Sequence, residues 1–111
     1  KNHAFMVAFA KAIDAANASY TKNPAAWTAD SAPVKTIAAR TGAKPADIPE
    51  ILKGYTLPSL KEQASASWLG GAMQKNMGVT ASFLKEQKKI PSVLKDYSKF
   101  VNASVVKDAM K

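Results

Sequence analysis

The chain has 111 residues, too few for two independent cores, and of its 52 apolar residues 21 are alanine, leaving 31 large side chains to fill an interior. It carries +8 at neutral pH, with 15 lysines against the single Arg40, no cysteine, and one histidine, His3. Disulfides, thiolate chemistry and multi-histidine metal sites are thereby excluded, and no apolar run approaches the about 18 residues of a membrane span.

In chain order, Phe5, Phe9, Ile13, Ala16 and Tyr20 recur at steps of three and four, the stripe of one helix over 2–22. Asn23-Pro24 stops it and restarts the chain in a short turn carrying Trp27. Ser31 and Pro33 open a helix over 33–41 that Gly42 closes, and a turn at Pro45 leads into 46–53, closed by Gly54. Further helices follow over 59–69, 72–87 and 102–110, the last capped by Asn102, and one short extended piece at Phe100-Val101 has no partner. The expectation is an all-α chain of six or seven short helices without a sheet, forming one unit over 1–111. It opens at Lys1 in helical periodicity with no cap, as expected of a chain whose natural beginning lies upstream.

Little in these residues suggests catalysis. Glu50, Glu62 and Glu86 lie in polar surroundings that would not raise a carboxyl pKa, His3 is a poor base at the chain end, and no Gly-x-Ser-x-Gly elbow is present. Gly70-Gly71 lacks the Lys-Ser/Thr of a phosphate loop. The reading is therefore not an enzyme, with no cofactor and no metal. Trp27, Trp68, Tyr55 and Tyr97 are able to line a small-molecule site, but core packing is the plainer role for each, as it is for Met73 and Met77. The lysines are spread along the chain, and Lys88-Lys89 reads as a solvated turn. Nucleic acid is accordingly not an expected partner, although a small basic helical module binding nucleic acid or an acidic partner is the alternative reading; a steep fall of affinity with salt would distinguish it.

Three phrases carry more specific information. Tyr20-Thr21-Lys22-Asn23-Pro24-Ala25-Ala26-Trp27, then Leu52 to Gln63 through Trp68-Leu69-Gly70-Gly71, and finally Phe83 to Ile90 with Asp96-Tyr97-Ser98 and Phe100-Val101 resemble, in order and spacing, the carboxyl-terminal part of taurine-type periplasmic substrate-binding proteins. Two positions depart from that pattern: Lys88 stands where glycine usually follows Glu-Gln, a change expected to touch only a surface turn, and Lys99 stands where proline is frequent.

The resemblance implies a secreted, periplasmic solute-binding component of an ABC importer, whose parent is a two-lobed α/β type II binding protein. That parent would close around taurine or a related small sulfonate and deliver it to a membrane permease. The chain then represents the helical tail, with the remaining part of the parent chain and the permease as partners, and most ligand contacts lie upstream. Of the residues present, Tyr55, Gln63 and Trp68 are those expected to approach the cleft. As part of a larger receptor, the chain should expose some of Phe5, Phe9, Ile13, Trp27 and Trp68 in a patch above about 400 Å².

Overall fold

The computed structural model describes residues 2–111, and among these there is helix and turn but no strand. The helices are α1 (His3–Thr21), α2 (Ala32–Thr41), α3 (Ile48–Lys53), α4 (Leu60–Ala64), α5 (Ala72–Glu86) and α6 (Ser104–Ala109), with short 3-10 turns at Pro24–Ala26 and Ser98–Phe100. The all-α expectation holds. Five of the six helices begin and end within two residues of where periodicity and punctuation place them.

The early end of α4 and the late start of α6 have local causes. α4 stops at Ala64 rather than at 69, because Ser65 turns to an extended conformation and its hydroxyl donates to Glu62 O. A serine hydroxyl bonded to its own preceding turn competes with the helical ladder. Past it the chain winds into tight turns, where Leu69 N donates to Gln63 O and Gly70 N to Ser65 O. A Cβ at Gly70 would stand 2.8 Å from Ser65 O, so only glycine permits this approach. α6 begins at Ser104 rather than 102. Asn102 Oδ1 accepts from Ser104 N at 2.8 Å in a local turn, and the helix starts after it.

The chain forms two compact units, one of the residues up to Ile13 with Pro58–Lys111, the other of Asp14–Leu57. Each unit has its own small buried group. In the first unit Leu60 of α4 meets Val106 and Ala109 of α6, with Val7 and Ala10 of α1 and Ala64 and Leu69 packed around them. His3 Nε2 donates to Asp108 Oδ2 at 2.8 Å, joining the start of α1 to α6, and Lys111 Nζ donates to Asp108 Oδ1 at 2.7 Å. In the second unit Val34 of α2 and Ile48 of α3 are buried. Gly42, in the left-handed region at φ 75°, closes α2 with its N–H on Ala38 O.

So few large side chains are buried that others reach solvent. Of the five residues among which some exposure is expected, Phe5, Phe9, Ile13 and Trp68 are exposed and Trp27 is half-buried. The core roles expected for Met73, Tyr55 and Trp68 are not realised, since each presents more than a third of its surface. Tyr97 is closer to its expected role: half-buried, its hydroxyl accepts from Leu94 N, and it lies against Gly78.

The end of α5 shows what the Lys88 departure means. Lys89 N donates to Leu84 O and Lys88 N to Lys85 O, the paired bonds of a Schellman closure, which requires a left-handed residue at the position after the cap. Lys88 occupies that position at φ 56°, and it is the one non-glycine with positive φ among the described residues. A side chain there costs about 1 kcal/mol relative to glycine, partly returned through the less flexible unfolded chain. Lys88→Gly is expected to raise stability by about 0.5 to 1 kcal/mol in urea unfolding; a loss of stability would show that the lysine side chain holds the turn.

Candidate functional site

The second unit contains a groove of about 520 Å³. Its first wall is α1, which presents Ala16, Asn17 and Tyr20 on one face. Asn23-Pro24 then reverses the chain through the 3-10 turn and brings Trp27 back onto Tyr20, ring edge to ring face, with centroids 5.3 Å apart. This aromatic pair is favoured by the opposite charge of ring edges and faces. Pro33, Thr36 and Ile37 of α2 form the next wall, and Leu52, Tyr55 and Leu57 complete the lining around the end of α3. None of these lining residues is charged. The groove suits an apolar or aromatic group and lacks the ammonium, guanidinium or carboxylate that a zwitterionic sulfonate needs for charge-assisted bonds.

Of the three residues expected at a cleft, Tyr55 belongs to this groove in the second unit, whereas Gln63 and Trp68 belong to the first. Gln63 lies on α4, half-buried, with Nε2 donating to Pro58 O at 3.0 Å. Trp68 sits in the turns beyond, 37% exposed, its carbonyl accepting from Met73 N. Sequence reasoning left Tyr20, Ile37 and Leu57 unassigned to any site. The signal for Tyr20 was available in the Asn23-Pro24 reversal midway to Trp27, which folds two aromatic residues seven apart onto each other.

The placement of Gln63 depends on how α4 starts. Ser59 Oγ accepts from Glu62 N at 3.2 Å while Glu62 Oε2 accepts from Ser59 N at 2.7 Å, a reciprocal box that closes a helix of only five residues. The bond that the Glu62 carboxyl accepts from the Ser59 N–H, and then one from the Ser59 side chain, hold that carboxyl below its ordinary value. Asp108 is lowered by the Lys111 ammonium and then by His3, and Asp96 by the Ser98 hydroxyl and N–H. Among the described residues no three His, Asp or Glu side chains gather as metal ligands.

Over 99 residues the chain is 36% identical to the taurine-binding periplasmic protein of Escherichia coli (strain K12). The aligned stretch is 89% of this chain and 30% of that protein, so the chain spans less than a third of the relative it matches. No protein-family profile matches the chain, and no solved structure matches it.

Because Glu62 is depressed in the folded state, the folded chain binds fewer protons there than the unfolded chain. Its stabilisation is complete above the unfolded value and is lost as the pH falls through the lower folded one. Ser59→Ala should cost about 0.5 to 2 kcal/mol at neutral pH, the usual cost of an N-cap. The gap between variant and parent should narrow below about pH 4 as the carboxylates protonate, which urea unfolding across pH reads directly.

Proposed function

We propose that this chain is the carboxyl-terminal helical part of the solute-binding component of an ABC importer, the ligand being taurine or a related small sulfonate. The observation that carries the reading is the 36% identity over 99 residues to a taurine-binding periplasmic protein. The order of the three recognisable phrases and the exposed apolar face of α1 support it. On this reading the longer protein is periplasmic, two-lobed and α/β, works with a membrane permease, and catalyses no reaction.

So small a zwitterion is held by charge-assisted hydrogen bonds from several directions, a sulfonate by N–H, hydroxyl or guanidinium donors and an ammonium by a carboxylate. The uncharged groove of the second unit does not supply them, which supports placing most of the site outside these residues. This chain contributes one wall at most. Among the candidates, Tyr55 in the second unit offers a ring and a hydroxyl, and Trp68 in the first a partly exposed ring. Gln63, in the first unit, has one Nε2–H engaged by Pro58 O and carries an amide oxygen of the kind that accepts from an ammonium.

Titration calorimetry with taurine is the test. The longer protein that includes this chain should bind, and the 111 residues alone should not. Micromolar binding by the 111 residues alone would move the site into this chain, and no binding by the longer protein would remove the taurine reading. Trp68→Ala in the longer protein should weaken taurine binding at little cost in stability, since 37% exposure places the ring well short of a fully buried one. Intact affinity with a loss of about 3 kcal/mol or more would make it a packing residue instead.

A further inference from the structure

Lys88 and Lys89, which the sequence pattern reads as a solvated turn, acquire a definite arrangement in the structure. Lys85, in the last turn of α5, joins Lys88 and Lys89 around a niche of about 430 Å³ whose remaining lining is Ile90 and Pro91. All three lysines are exposed, and among the described residues no carboxylate pairs with any of them within ion-pair distance. The middle one, Lys88, holds the left-handed position at φ 56° that a glycine would occupy without strain. A costly backbone conformation kept with a charged side chain, between two further unpaired cations, is a reason to look for an anionic partner. The α5 carbonyl end draws cations, but the dipole accounts for about half a charge and not for three.

We propose that the Lys85–Pro91 turn is a docking surface for the anionic headgroups of a phospholipid bilayer. Three observations favour an extended anionic surface over a discrete acidic peptide or a nucleic acid. The basic residues of the niche are all lysine, compact hydrated charges without the planar fork that reads carboxylates or bases in fixed geometry, and Arg40 lies far away in sequence on α2. The +8 charge is distributed along the whole chain, which gives long-range attraction to a charged sheet rather than to one point. The sequence on either side of the niche exposes Phe83 and Leu94, apolar groups of the kind that settle at a headgroup boundary. This proposal goes beyond solute binding, and its outcome does not depend on the identity of the solute.

The test is sedimentation of the 111-residue chain with phosphatidylglycerol vesicles, with phosphatidylcholine vesicles and soluble polyglutamate as comparisons. Binding should require phosphatidylglycerol and weaken steeply with salt. Each lysine near such a surface is worth roughly a fivefold change in partitioning, so replacing all three by glutamine should weaken binding about a hundredfold. A variant of equal net charge, with Lys35, Lys44 and Lys61 replaced by glutamine, should lose far less. Helical content by circular dichroism should be unchanged in both, since all six lysines are exposed. Lys88→Gly should bind vesicles about fivefold more weakly while being the more stable protein, a combination that a purely structural role does not produce. No binding to phosphatidylglycerol, equal losses in the two triple variants, or tighter binding to polyglutamate than to vesicles would each overturn the proposal.

Discussion

Scarcity of burial is the constraint on which the rest of this structure depends. Val34 alone among the described residues is a large side chain fully removed from water, and Leu60, Val106 and Ile48 are the other sizeable buried ones. An apolar side chain contributes about 1.5 to 3 kcal/mol when fully buried, so each small group has only a modest surplus over the entropy of ordering its helices. Local hydrogen bonds therefore decide where helices begin and end. The Ser59–Glu62 box, the Ser65 hydroxyl, the Asn102 turn and the Schellman closure at Lys88 each fix a boundary that packing alone would leave loose.

The same constraint explains what was legible beforehand. Helices with punctuation at their ends, such as α2 before Gly42 and α5 before Gln87, are readable because glycine, proline and capping chemistry act over three or four residues. The stop at Ser65 was not readable. Leu60, Ala64 and Trp68 continue a helical period, while the extended Ser65, its hydroxyl bond and the turns after it end the helix. Exposure was legible for Phe5, Phe9 and Ile13 from the reading of the chain as part of a larger receptor, together with the lean interior that 21 alanines among 52 apolar residues leave. Burial was misjudged for Met73 and Tyr55, because a residue type that is usually interior finds no interior here.

Sites were less legible than elements. The groove of the second unit gathers residues from α1, α2, α3 and the loops around them, and contiguity in sequence marks only the Tyr20 to Trp27 reversal. Lys85 was separated from Lys88 and Lys89 by Glu86 and Gln87, and it took the helical turn to bring all three to one niche. The recognisable phrases of the sequence resemble, in their order, part of a solute-binding protein. The groove's uncharged lining shows that a chain can share such phrases without containing within one concavity the charges a sulfonate needs.

The two tryptophans fall one to each compact unit, Trp27 in the second and Trp68 in the first. Trp27 has Tyr20 at 5.3 Å, close enough for excitation of the phenol to pass to the indole, whereas Trp68 stands partly in water. The molecule thus carries a separate optical reporter in each half, with different solvent contact. With one tryptophan replaced by phenylalanine at a time, each half can be followed by its own indole without an added label, and whether the halves melt together or apart becomes a matter of comparing the two single-tryptophan proteins.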